Sequence, residues 1–186
     1  MMANIWFTSD LHFGHDREFV WKARGFNSVE EMNQAIVTRF NQKIDLNDTV
    51  YILGDIMLGD NTMGEHYFSQ LNGKKIIILG NHDTNPRIEI YKKYAEEICL
   101  AKIVKYKKRM IYLSHYQTLT GNMDDTPGHC VLNFHGHTHQ TENFTNDYMF
   151  MYHVGVDSHD CYPVHIDDAL ASIKERRGKG EHLNEN

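Results

Sequence analysis

The chain has 186 residues, long enough for one domain with a sizeable core, and its 41% hydrophobic and 24% charged content is that of an ordinary globular protein. A net charge of −6 supplies no basic field to hold nucleic acid non-specifically, so nucleic acid is disfavoured as a partner without being excluded. Cys99, Cys130 and Cys161 form no CxxC pair and no disulfide framework, and no segment has the basic start of a leader or the length of a membrane span. The expectation is a cytoplasmic protein with reduced thiols and no membrane partner.

The apolar run from Asn4 to Thr8 predicts a buried strand, and Asp16 to Lys22 has helical character. Ser28-Val29-Glu30-Glu31 is a capping box opening a helix toward Lys43, with Val29, Met32, Ile36 and Phe40 on one stripe. Thr49 to Leu53 predicts a second strand, Asn61 to Leu71 a helix stopping at Asn72-Gly73, and Lys74 to Leu79 a third strand. Pro86 stands in the first turn of a helix expected to run to about Ile98. After it, Ile103–Tyr106, Arg109–Leu113, Val131–Phe134 and Tyr148–Val154 read as short strands without helices between them, hence an antiparallel section. A helix from Asp167 to Arg176, followed by Gly178, closes the fold. The chain reads as a single domain over 1–178 with a polar, disordered tail over 179–186.

Five of the strand-like runs end in metal-binding side chains: Asp10-Leu11-His12, Gly54-Asp55, Gly80-Asn81-His82-Asp83, Ser114-His115 and Gly136-His137-Thr138-His139. Ligands at the ends of successive strands converge on one crevice when those strands share an α/β sheet. Carboxylates, an amide and imidazoles together suit two divalent transition ions side by side. Alternate residues of an extended chain point the same way, so Asp10 and His12 can share an ion, as can His137 and His139. Asp55 follows a glycine that lets the chain turn sharply, and a carboxylate there can bridge two cations about 3.5–4 Å apart. Water held by such a pair loses a proton near neutral pH and attacks phosphorus in line. Singly, each residue has a plainer reading: the aspartates as turn formers, the histidines as hydrogen-bonded side chains. The order of all five, each after an apolar strand, favours the metal site.

Taken together, these motifs resemble the signature of calcineurin-like metallophosphoesterases, in the form found in small bacterial and phage-type members, over residues 10–139. The resemblance implies an α/β fold, a four-layer α/β/β/α sandwich of two mixed sheets flanked by helices. It assigns Asp10, His12, Asp55 and His139 to one metal ion, and Asp55, Asn81, His115 and His137 to the other. Mn²⁺ is the first choice for the pair, with Fe, Zn²⁺ or Ni²⁺ as alternatives. By the same resemblance His82 does not ligate; it contacts the phosphate or protonates the leaving oxygen, and Asp83 orients its ring. An imidazole held by a carboxylate beside dications is a sensible general acid.

Two departures narrow the class. The run Gly54-Asp55-Ile56-Met57-Leu58-Gly59-Asp60 shifts the second acid and lacks the Arg that grips phosphoproteins, which disfavours a protein phosphatase. The first motif extends to His15, which faces substrate, supports His12 or caps a helix. Arg17, and after it Arg87, are the nearest cations able to grip a phosphate, or else are solvated helical charges; Asn81 is a further substrate contact. The loop from Tyr116 to His129 follows a ligand and either shapes substrate entry or merely connects. His153 stands where relatives of this type carry Asn, and a structural role is favoured. The expected substrate is a small phosphodiester such as a nucleotide derivative, with a phosphomonoester or nucleoside polyphosphate as the alternative. A nuclease and a catalytically silent binding module rank lower, because there is no basic stripe and no ligand is missing.

Overall fold

A computed structural model describes residues 3–120, 131–144 and 150–183, with side chains to Arg176. Along the chain run β1 (Ile5–Thr8), α1 (Glu18–Trp21), α2 (Val29–Lys43), β2 (Thr49–Leu53), α3 (Asn61–Phe68), β3 (Lys74–Ile78), α4 (Asn85–Tyr91), β4 (Ala95–Cys99), β5 (Ala101–Tyr106), β6 (Arg109–Ser114), β7 (Leu132–His135), β8 (Met151–His153), β9 (Val164–His165) and α5 (Ile166–Leu183). One sheet has the order β4-β3-β2-β1-β9, parallel except for β9, and the other the order β5-β6-β7-β8. Both are therefore mixed sheets, and with the helices they form the expected α/β architecture.

The alternation of side chains along the strands sorts the core in two. Val50, Ile52 and Ile77 point to one face, where they meet Met32, Ile36 and Phe40 of α2, Phe68 of α3 and Tyr91 of α4. Phe7, Tyr51, Leu53 and Ile78 point to the other face and pack on Ile111, Leu113, Phe134 and Tyr152 of the second sheet. Ile166, Ala169 and Ile173 of α5 complete this inter-sheet cluster. Each such side chain contributes ~1.5–3 kcal/mol when fully buried, so the two sheets are held as one block under the site. Helix α2 starts where expected: the Ser28 side chain accepts from the Glu31 N–H at 3.1 Å, while Glu31 reaches back to the Asn27 N–H at 2.8 Å.

Three expectations change. The helix opened by Pro86 ends at Tyr91, not near Ile98, and Ala95–Cys99 is a strand. Pairing β4 parallel to β3 covers that strand's open edge, and this outweighs the helical preference of Ala95-Glu96-Glu97. In the second sheet only β5 and β6 pair antiparallel; β6–β7 and β7–β8 are parallel. The stretches between those strands are long enough for a parallel return. The last helix passes Gly178 and continues to Leu183, whereas a stop and a disordered tail were expected; glycines inside a helix cost about 1 kcal/mol each and need not end it. Residues 121–129 of the loop after Tyr116, Tyr148 in the strand expected at 148–154, and 184–186 of the tail lie outside the described residues. Among the described residues no helix is long and apolar enough to cross a membrane.

Candidate metal centre

Strands β1 and β2 end side by side, but their backbones stay paired beyond the sheet. Asp10 N–H donates to Gly54 O, His12 N–H to Asp55 O and Phe13 N–H to Ile56 O, at 3.0–3.1 Å. This zipper sets Asp10 and His12 beside Asp55. Asp10, His12, Asp55, His137 and His139 all have φ between 48° and 69°, the left-handed region that costs a non-glycine residue roughly 1–2 kcal/mol. The expectation that Asp10 and His12 converge by alternating along extended chain is therefore corrected. They converge because left-handed turns re-aim each side chain, and the neighbouring loop holds those turns. Two glycines make the crowding possible. A Cβ on Gly54, at φ 85°, would lie 2.6 Å from His115 Nδ1 and 2.7 Å from Gly80 Cα. One on Gly136 would collide with Ser9 Oγ and the Asp10 carboxylate.

The side chains gather into two triads, Asp10–His12–His139 and Asp55–His115–His137, each with ligand atoms within 4.8 Å of one another. Asp55 joins them. Its Oδ2 lies 3.8 Å from His12 Nε2, 3.5 Å from His115 Nε2 and 3.9 Å from His82 Nε2, while its Oδ1 accepts the His82 backbone N–H at 2.9 Å. Asn81 Oδ1 stands 2.9 Å from His115 Nε2, on the second triad. His12 Nε2 and His139 Nε2 face each other at 3.1 Å, and the buried His12 Nδ1 has no partner. The structure thus brings six of the expected residues into the two triads, with Asn81 beside His115 and Asp55 also beside His12.

These donors fit a pair of divalent ions. In each triad nitrogen and oxygen ligand atoms lie within 4.8 Å of one another, a mixed donor set that suits a divalent transition ion. Burial acts to raise Asp55, yet His115 and the His82 N–H hold its carboxyl down at about 2. Burial raises Asp10, and pushes His12 well down and His137 down, so both imidazoles are in the neutral, ligating form. His139 is raised, first by its hydrogen bond to Asp157; His115 is raised because Asp55 and Asp10 outweigh its burial.

Behind the ligands lies a support that the motifs did not reveal. Asp157 Oδ2 accepts from His139 Nδ1 at 2.9 Å, which leaves Nε2 free to ligate. Arg24 grips Asp157 with two bonds, of 2.8 and 3.0 Å, and its remaining donors reach Asp10 O and Leu11 O. His115 Nδ1 is fixed by Leu53 O at 2.7 Å. The sole signal for Asp157 was its place after Gly155-Val156; nothing in the motifs singled out Arg24.

Other candidates take different places. Asp83 does not orient the His82 ring: its buried carboxylate accepts from Asp55 N, Gly80 N and Tyr91 Oη at 3.0, 2.7 and 2.6 Å, so it braces the ligand loops. Arg87 is buried and bonded to His82 O and Asn61 Oδ1, which makes it a support for the His82 loop and not a phosphate grip. Arg17 is exposed at the start of α1. His15 is half-buried, its ring 5.5 Å from that of His12. Asp60, the shifted acid, caps α3 through the N–H groups of Thr62 and Met63. His153 is fully buried and bonded to Ser158 Oγ at 2.8 Å, a structural role as expected.

Comparison with known proteins agrees with this geometry. An uncharacterised protein of Methanocaldococcus jannaschii is 29% identical over 185 residues, covering 94% of this chain and 93% of its own. The gene 66 protein of Mycobacterium phage L5 is 41% identical over 86 residues, 44% of this chain and 41% of its own length. Among solved structures, a protein of unknown function from Aquifex aeolicus superposes with a TM-score of 0.69 at 26% identity, covering 90% of this chain and 97% of that one. The calcineurin-like phosphoesterase superfamily domain matches residues 3–160, which include every ligand of both triads, and the chain belongs to that superfamily.

Proposed function

We propose that the protein hydrolyses small phosphodiesters, nucleotide derivatives among them, at a centre of two divalent cations, Mn²⁺ first among the candidates. The observation that carries this reading is the position of Asp55 Oδ2, shared between the two triads and 3.9 Å from His82 Nε2. Two cations bound there would draw in the phosphate oxygens and make water nucleophilic near neutral pH. The chain's own part is positional and acid–base. Asp55 pins the His82 backbone, Arg87 holds its carbonyl, and the ring stays 41% exposed toward the crevice. From there His82 can donate a proton from Nε2 to the leaving oxygen.

Charge favours a diester over a monoester. A monoester brings a dianion, and the nearby guanidiniums are committed: Arg24 to Asp157 and Arg87 to Asn61 and His82 O. A diester, with one negative charge, needs no further cation.

With Mn²⁺, the protein is expected to hydrolyse bis-p-nitrophenyl phosphate with a higher kcat/KM than p-nitrophenyl phosphate. His82→Ala should keep both metals and lose roughly 10²–10⁴ in rate, the usual worth of a general acid. Failure to turn over either ester with metals confirmed bound contradicts the reading, and metal loss in His82→Ala contradicts the role of His82.

A further inference from the structure

A cavity of about 520 Å³ opens beside the His12–His139 end of the centre, within the ~300–1,000 Å³ range of small-molecule sites. Its inner wall carries the imidazoles of His12, His82 and His139; its outer wall is Phe19, Val20 and Leu58. Between the two, rings follow one another outward. His139 to His12 is 4.9 Å between centroids, His12 to His15 is 5.5 Å, and His15 to Phe19 is 6.0 Å with the rings at 89°. Phe19, at the outer end of this ring series, is 72% exposed and open to contact. His15 lines the same space.

Among the described residues that line the cavity, the guanidinium is Arg24, whose donors reach Asp157, Asp10 O, Leu11 O and Met32 Sδ. A second phosphate would be desolvated there without compensation, whereas an uncharged planar ring would cover Phe19 and the edge of His15.

Resting on the phosphoesterase reading above, we propose that this cavity is the ester-arm subsite: it takes an uncharged planar ring, an aryl group or a nucleobase, stacked along His15 and Phe19 while the phosphate lies at Asp55. The substrate class is thereby narrowed to esters with an aromatic arm, and nucleoside polyphosphates and small alkyl esters are disfavoured.

Titration calorimetry on the Mn²⁺-loaded protein tests this by affinity and not by activity, using methyl phosphate, phenyl phosphate and thymidine 5′-monophosphate. Phenyl phosphate or thymidine monophosphate should bind about tenfold tighter than methyl phosphate, within the range that ring stacking provides. Preference for phenyl phosphate alone identifies an aryl arm, and preference for the nucleotide a nucleobase. Phe19→Ala, a change at an exposed position, should reduce the affinity for the preferred ligand about tenfold, and Phe19→Trp should keep it. Equal affinity for all three ligands, or a ring preference that survives Phe19→Ala, overturns the subsite. Ring preference without hydrolysis of any ester would instead overturn the phosphoesterase reading and leave the subsite standing.

Discussion

At the level of single residues, the centre depends on how each ligand is held as much as on which ligand it is. Asp157 fixes the tautomer of His139 and is itself fixed by Arg24. Asp157→Asn would keep the shape but weaken both bonds, so Mn²⁺ affinity measured by competition with a chelator should fall roughly 10–100-fold. An unchanged affinity would mean that His139 needs no orienting partner. The residues of the two triads and Asn81 were legible in the sequence because metal-binding chemistry restricts them to a few residue types and each stands just after a strand. Arg24 and Asp157 were not, because their meaning lies in a contact across 133 residues that no local pattern announces. Asp83 shows the reverse error. Its neighbour His82 suggested a catalytic pair, whereas its carboxylate points back to Asp55 N and Gly80 N.

At the scale of elements, α4 reaches the site through two side chains, Arg87 on His82 O and Tyr91 on Asp83. Tyr91, wholly buried against Phe68, donates to Asp83 Oδ1, and Asp83 Oδ2 clasps the loops after β2 and β3. Tyr91→Phe would leave a buried carboxylate oxygen without its donor, at a cost of ~1.5–3 kcal/mol. Urea unfolding should show a lower midpoint at unchanged slope, and a midpoint equal to wild type would remove Asp83 from the brace. The strands that carry ligands were readable from their β-branched runs. Strand β4 was not, since Ala95-Glu96-Glu97 favours a helix and becomes strand by pairing with β3. The parallel order of β6, β7 and β8 was hidden for a similar reason: strand direction depends on where long connections return, which composition does not encode.

On the scale of the whole molecule, the second sheet carries its own acid-sensitive element. His135 and His153 are fully buried with centroids 5.5 Å apart, and burial holds them at about 4 and about 3 against an ordinary 6.5. The unfolded chain protonates these rings below 6.5 while the folded chain refuses the proton until about 3–4, so their contribution is complete above 6.5 and is lost as pH falls through that window. Metal-free protein should therefore lose stability, on the order of a few kcal/mol, between those limits in urea titrations. His153→Asn should shrink the loss, and a flat profile would contradict neutral burial of the pair.

Asp55 Oδ2 lies between the two triads, where it would be shared by two bound cations. Electron paramagnetic resonance of the Mn²⁺-loaded protein, titrated to saturation, addresses that sharing most directly. Two ions per chain with an exchange-coupled spectrum are expected, from a bridge holding them about 3.5–4 Å apart, and Asp55→Ala should abolish the coupling. A single ion at saturation, or two that remain magnetically independent in the wild type, would contradict the bridge.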